Sequence, residues 1–366
     1  MKLLYITNGV HGAGGLERVL AIKSNYLIQK MNYEIAIVTL NSPTKDFFYS
    51  FNSNIQFYNV NVNGGVLSYY KLYKTGVKNV IKKFNPDVIS VCDDGLKGLL
   101  FPFLIKVKKP LVYERHASLQ FNFIKENISF SQRVKTNLLR ILMRFGAKGF
   151  DEFVVLTSGN ISDWPKIRCK VIPNPSPFDV CDDFDIKKEK VVLAVGTQSY
   201  NKGYDRLIKV WSSIAKTHPD WKLKIYGKPK ESLKLNELVK SLNLSNKIFL
   251  FKPIKNIDEE YKKASIFALS SRTEGFGMVL IEAMSFGVPC VAFDCPHGPR
   301  DIINNEEDGF LVTNGNLEEF EKKLVCLMDD DEKRRLMSIK SKENIKKFSL
   351  PEIMGEWNKL FKDLMK

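Results

Sequence analysis

Short strand-like apolar runs alternate with helical periods along this whole chain, and the series starts again near residue 190. The first set is LLYIT (3–7), IAIVTL (35–40), VISV (88–91) and EFVVLT (152–157). The second is KVVLAVG (190–196), KLKIYG (222–227), IFLF (248–251), IFALSS (266–271) and VPCVAF (288–293). Amphipathic stretches such as LERVLAIKSNYLIQKM and YDRLIKVWSSIAKTH separate them. Strands that alternate with helices build parallel sheets covered on both faces. Two such series in 366 residues predict an α/β protein of two Rossmann-like domains with a cleft between them. The Pro-rich, acidic stretch VIPNPSPFDVCDDFDIKKEK (171–190) suits a connector. Expected bounds are 1–172 for the first domain, 173–189 for the linker and 190–349 for the second domain. SLPEIMGEWNKLFKDLMK, with Ser349 placed to cap it, reads as a final helix over 350–366.

The formal net charge is +15 and unevenly placed: residues 1–180 hold 24 Lys/Arg against 12 Asp/Glu, the remainder 32 against 29. The first half is therefore expected to meet something anionic, whether a membrane surface, a phosphorylated substrate or nucleic acid. Lys71, Lys74, Lys78 and Lys82 recur at helical spacing beside Tyr70, Tyr73, Val77 and Ile81. Arg133, Arg140, Arg144 and Lys148 repeat the pattern, with Leu138, Leu142 and Phe145 expected behind them as the core face. Each stripe reads either as a solvated helix face or as a surface for anionic lipid. No stretch nears the ~18 apolar residues of a membrane span, and MKLLYITNG runs into a strand without a cleavage pattern. A cytoplasmic protein is expected. Six scattered cysteines with no CxxC give no zinc site.

In TEGFGMVLIEAM (273–284), two carboxylates bracket two glycines and an apolar run. The context is strand, loop, helix, next strand, and such units place ligands beyond the strand's C-terminal end. Gly275 and Gly277 let a ligand approach, and amides near Gly277, Met278 and Val279 offer an anion seat. Glu274 sits at the mouth of that seat. Glu282 lies one turn into a helix that is apolar nearly all round, so it needs a partner: ligand hydroxyls, or a lysine elsewhere in the chain.

VGTQSYNKGYDRLI (195–208) places Lys202 at a second strand end, where it either holds phosphate or is a plain surface lysine. HGAGGLERVL (11–20) opens a helix with Gly12, Gly14 and Gly15, another anion-binding arrangement. Glu17 occupies the place of the third glycine of a dinucleotide fingerprint, and Thr39-Leu40-Asn41 lacks the ribose-binding acid, so the dehydrogenase reading is weak. VYERHAS (112–118) ends a strand with Glu114, Arg115 and His116, the histidine being either structural or functional. His297, Gly298 and Arg300 form a turn or touch phosphate. Asp93-Asp94 and Asp329-Asp330-Asp331 lack the DxD spacing of a metal-dependent sugar transferase.

Together, EGFGMVLIEAMSFGVPCVAFD, GGLERVL, VVLTSGNISDW, VIPNP and VGTQSYNKGYDRLI resemble glycosyltransferase family 4, retaining enzymes of the GT-B fold with an E-x7-E signature. The resemblance implies that the final helix crosses back to the first domain, which binds the acceptor, while the second binds the nucleotide-sugar. It implies that Glu274 orients the sugar and Glu282 takes the ribose hydroxyls. Lys202 and the amides of Gly277 to Val279 would hold the diphosphate, with Gly15 at a close approach and His116 near the donor sugar. Where the family commonly carries an arginine this chain has Thr197, and Arg300 is the candidate to replace its charge. The implied activity is metal-independent, cofactor-free, retaining hexosyl transfer from a UDP-sugar to a glycan acceptor of a surface polysaccharide, lipopolysaccharide or lipid-linked oligosaccharide. A peripheral site at the inner face of the plasma membrane is expected, with no nucleic acid as partner. The competing readings are a relative with a soluble acceptor, a phosphorylase, a basic nucleic-acid-binding protein, and a non-catalytic scaffold of the same fold.

Overall fold

The computed structural model describes every residue except 43–45, 120–129 and 182–187. Part of the expected linker, 182–187, thus lies outside the described residues. The chain divides into two compact units, Met1–Pro175 with Pro351–Lys366, and Ser176–Leu350.

The first unit is built on β1 (Lys2–Ile6), β2 (Glu34–Leu40), β3 (Gln56–Val60), β4 (Val88–Val91), β5 (Leu111–Arg115), β6 (Glu152–Val155) and β7 (Cys169–Val171). They form one sheet in the order β3-β2-β1-β4-β5-β6-β7, and every pairing is parallel. In the second unit, β8 (Glu189–Val195), β9 (Lys222–Tyr226), β10 (Ile248–Phe251), β11 (Ala264–Leu269), β12 (Cys290–Asp294) and β13 (Gly309–Thr313) form a parallel sheet ordered β10-β9-β8-β11-β12-β13. Both orders reverse direction beside the first strand, the point where open α/β sheets leave a ligand-binding crevice at their carboxyl ends. The central strands are mostly apolar because helices cover both faces: β4 (VISV) and β11 (ASIFAL) are buried throughout.

Each strand-like run read from the sequence is a strand to within two residues; β3, β7 and β13 were not among them. The Gly15–Met31 helix starts behind an extended Gly14 and stops at Asn32, whose left-handed backbone (φ 55) lets its N–H bond the Leu27 carbonyl. In the Val66–Phe84 helix the lysine stripe faces solvent while Tyr73, Val77 and Ile81 join the core.

The Phe130–Ala147 helix corrects the expectation for the second basic stripe. Leu138, Leu142 and Phe145 are exposed, whereas Met143, Gly146 and Ala147 face inward. A Cβ on Gly146 would press on the Leu99 backbone, so the helix lies against the Leu96–Leu99 turn through its smallest residues. Arg144 turns in to donate to the Asp163 carbonyl. Periodicity marks an apolar stripe without saying which way it points, and close backbone approach at Gly146 decided that here.

The closing helix Leu350–Asp363 belongs to the first unit from Pro351 onward. It buries Ile353, Met354, Trp357, Leu360 and Phe361, each worth roughly 1.5–3 kcal/mol of transfer free energy. Trp357 also lies under the Lys23 ammonium, 3.4 Å from the ring centre, and Asn358 accepts from the Tyr33 hydroxyl at 2.8 Å.

Candidate active site

The second unit gathers the predicted donor residues at the carboxyl ends of β8 and β11. After β8 the chain turns at Gly196 (φ 147), passes the exposed Thr197, and makes a short turn over Tyr200–Lys202 that ends at Gly203 (φ 64). Glycine is required at Gly203 twice over: the backbone is left-handed, and a Cβ would collide with the Ser270 carbonyl oxygen. The Ser270 hydroxyl, just past β11, bonds the Lys202 carbonyl at 2.8 Å. These contacts aim the Lys202 ammonium at the loop after β11, where it meets Glu274 Oε1 at 2.7 Å. The Ser271 hydroxyl donates to the same oxygen at 2.5 Å.

Arg272 shapes this loop, and the sequence reading assigned it nothing. Its guanidinium donates to both carboxylate oxygens of Asp205 (2.8 and 2.7 Å) and to the Tyr200 carbonyl, and it stacks on the Tyr200 ring. Partial burial opposes ionisation of Asp205, but the fork of Arg272 outweighs it and holds the carboxyl below the usual carboxylate range. The signal was present in RTEGFG beside YDR, yet an Arg–Asp pair 67 residues apart is invisible to local pattern.

Gly277 (φ 100) starts the Met278–Ser285 helix, which no side chain caps. The first-turn amides of a helix have no acceptor within it, so the N–H groups of Met278 and Val279 are left to a ligand or solvent at the Gly277 turn. Glu282 is buried at 2 % exposure, and its Oε2 accepts from the Tyr261 hydroxyl at 2.9 Å. Both glutamates therefore have protein donors. Glu274 pairs with Lys202, the internal cation that was one of the two alternatives for such a carboxylate, whereas Glu282 is held by a tyrosine that stacks on Phe286. Arg300 is also engaged, its Nε and guanidinium NH2 on the two oxygens of Asp294 at 2.9 and 2.5 Å. A Cβ on Gly298 would collide with the Phe276 carbonyl oxygen, which makes the 296–299 turn part of the loop's packing.

In the first unit, β5 delivers Glu114 and His116 into a buried network. Glu114 accepts from Lys23 Nζ (2.6 Å), the Ser90 hydroxyl (2.6 Å) and His116 Nε2 (3.1 Å). Burial resists its ionisation, but Lys23 and His116 prevail and bring its pKa down to about 2. The His116 amide donates to Asp94 Oδ1 at 3.0 Å, and its Nδ1 has no hydrogen-bond partner among the described residues. Cys92, Glu114 and His116 bring one ligand atom each within 4.8 Å of one another. Lys23 already pairs with Glu114, and burial raises the Cys92 thiol well above its ordinary range.

A cavity of about 670 Å³ opens at the carboxyl ends of β1 and β4, lined by Thr7, Asn8, His11, Gly12, Glu17, Asp93 and Asp94 among others. Gly15 is the first residue of the helix beside it. The Glu17 carboxylate lies against Gly12 and Gly14 so closely that a Cβ on either would meet it. The glycine loop thus already carries an anion of its own, which corrects its reading as an anion seat. Asp93 takes Asn8, Gly95 N and Lys97, and Asp94 pairs with Arg115.

The two parallel α/β units and their strand orders are those of the GT-B fold. S. aureus TarM in a structure with UDP and alpha-GlcNAc-glycerol superposes with a TM-score of 0.79 at 16% identity, over 98% of this chain and 99% of that one. Residues 182–344 match the family model for glycosyl transferases group 1. An uncharacterized glycosyltransferase of Haemophilus influenzae is 30% identical over 97% of this chain and 98% of its own length. The amylovoran biosynthesis glycosyltransferase of Erwinia amylovora is 29% identical over 98% of each. A Campylobacter jejuni alpha-1,4-N-acetyl-D-galactosaminyltransferase, named for a PP-undecaprenol-linked glycan, is 24% identical over 100% of this chain and 99% of its own. The chain belongs to the glycosyl transferases group 1 family.

Proposed function

We propose that this glycosyltransferase moves a hexose from a UDP-sugar to a lipid-linked glycan acceptor, with retention of configuration at the anomeric carbon and without a metal. The observation that carries the reading is the Lys202–Glu274 pair beside the amides of Met278 and Val279. The sugar C1–O bond breaks as the nucleoside diphosphate leaves, and negative charge grows on the departing phosphate. The Lys202 ammonium and the first-turn amides stand ready for that charge, fixed by Gly203 and Ser270 before substrate arrives. A phosphate that draws Lys202 away leaves Glu274 able to accept sugar hydroxyls. Glu282 takes ribose hydroxyls, Thr197 lines the diphosphate, and Arg300 reaches it by leaving Asp294. Gly15 and His116 are the first unit's contribution to substrate binding.

UDP in the TarM structure supports the choice of base, and the name of the Campylobacter relative supports a lipid-borne acceptor. Among the described residues no helix is long and apolar enough to cross a membrane. A cytoplasmic enzyme, peripheral at the inner face of the plasma membrane, fits the basic first half of the chain. Membership of the family disfavours the nucleic-acid-binding and scaffold alternatives.

Calorimetric titration with UDP and GDP, followed by nucleotide release from a panel of UDP- and GDP-sugars, tests the proposal. Saturable UDP binding with release from one UDP-hexose is expected. Absence of nucleotide binding, or tighter binding of GDP, would overturn the donor assignment.

A further inference from the structure

The Phe130–Ala147 helix carries its large apolar side chains on the outside. Val134, Leu138, Ile141, Leu142 and Phe145 recur at i, i+4, i+7, i+8 and i+11, the stripe a helix normally turns to a core. Here they face solvent, with Leu138 at 56% and Ile141 at 61% exposure. Phe103, on the neighbouring Phe101–Ile105 helix, stacks on Phe145 with ring centres 4.9 Å apart and widens the patch. The outward direction is fixed from behind, where Gly146 and Ala147 lie inward and Gly146 meets Leu99. A contiguous apolar patch of this kind on a folded domain marks a contact surface.

Charge selects what covers it. Arg133 and Lys135 flank the stripe near its start and Lys148 follows its end, all three exposed. Residues 130–148 contain no Asp or Glu, nor do residues 66–84 and 95–110, which supply the helices packed into the same core layer. A second copy meeting this face about a two-fold axis would set Arg133, Lys135 and Lys148 of one rim against the same cations of the other. An anionic bilayer surface offers the complementary sign. The apolar stripe enters the acyl boundary while the long cationic stems reach back to the headgroups.

We infer that the Phe130–Ala147 helix is the membrane-docking element of this enzyme, lying in the plane of an anionic bilayer with Leu138, Ile141 and Phe145 inserted. The inference rests on the proposed lipid-borne acceptor and names the surface by which the chain reaches it.

The test is co-sedimentation at low salt with phosphatidylcholine vesicles that contain about one third phosphatidylglycerol, against pure phosphatidylcholine. Wild-type protein is expected to pellet with the anionic vesicles only. The L138E/I141E double variant should bind them about tenfold more weakly or worse, since two inserted side chains become charged. Lys135→Gln with Lys148→Gln should weaken binding and flatten its salt dependence. In Ile141→Trp, lipids brominated on the acyl chain should quench the added indole. Equal binding by wild type and L138E/I141E, or no quenching of Trp at 141, would overturn the inference. So would self-association that L138E/I141E abolishes in a protein that ignores vesicles, which would assign the face to a second copy. UDP titration of the same samples separates the two proposals: vesicle binding without UDP binding sinks the donor assignment alone, and UDP binding without vesicle binding sinks this one alone.

Discussion

Lys202 and Glu274, 72 residues apart in the chain, meet at 2.7 Å where two strand ends of the second sheet converge. Each is the other's counter-ion until a ligand arrives. In the proposed donor site such a pair keeps a cation ready for phosphate without leaving a partly buried charge unpaired.

Lys202→Ala should therefore lower kcat by about 10²-fold or more, because leaving-group charge loses its fixed partner. Release of UDP from the UDP-sugar, measured under saturating donor, checks this. Turnover near that of wild type would remove Lys202 from the chemistry.

Gly203→Ala should destabilise the second unit by about 1–2 kcal/mol from the left-handed backbone alone, and by more once the Ser270 carbonyl is displaced. Turnover should fall with it, since Lys202 moves. Gly355→Ala is the contrast: Gly355 sits inside the Leu350–Asp363 helix with open space at its Cβ, so the substitution should stabilise by roughly 0.5–1 kcal/mol. Urea unfolding of both variants decides the comparison.

How much of this could be read without a structure depended on range. Gly277 and the burial of Glu282 follow from neighbours within one turn, and local pattern carried them. The Lys202–Glu274, Arg272–Asp205 and Lys23–Glu114 pairs join residues far apart in the chain on different elements, and nothing in spacing announces them. Among strands, β3 reads QFYNV, half polar, and β7 has only three residues, so neither gives a clear apolar run. Glu17 shows the same limit: its identity argued against a dinucleotide, but its fold-back over Gly12 and Gly14 needed coordinates.

Lys23→Met should cost about 3–5 kcal/mol, because it strands the Glu114 carboxylate in a site where both partners are 1% exposed. The double variant K23M/E114Q should recover most of the loss. Chemical denaturation of the four proteins in the cycle provides the readout, and a double variant as unstable as K23M would contradict the account.

Acid should act through the same carboxylate. With a folded pKa of about 2 against roughly 4.3 in the unfolded chain, the unfolded state binds the proton first as pH falls. The stability that Glu114 contributes is complete above about pH 5 and disappears as pH drops toward 2, a loss on the order of 3 kcal/mol. Stability measured between pH 5 and 2.5 should fall less steeply in Glu114→Gln than in wild type. Parallel slopes would mean that other groups carry the acid limb.

The tail supplies Trp357 and Phe361 to a core otherwise made from the first 175 residues. During synthesis the ribosome finishes the entire second unit before it releases the side chains that roof Lys23. The earlier-made half must then wait, incomplete, for the later one to emerge. Early termination between residue 175 and Trp357 would strand that half with an exposed apolar trough and an ammonium lacking its aromatic cover, a natural substrate for chaperones and proteases.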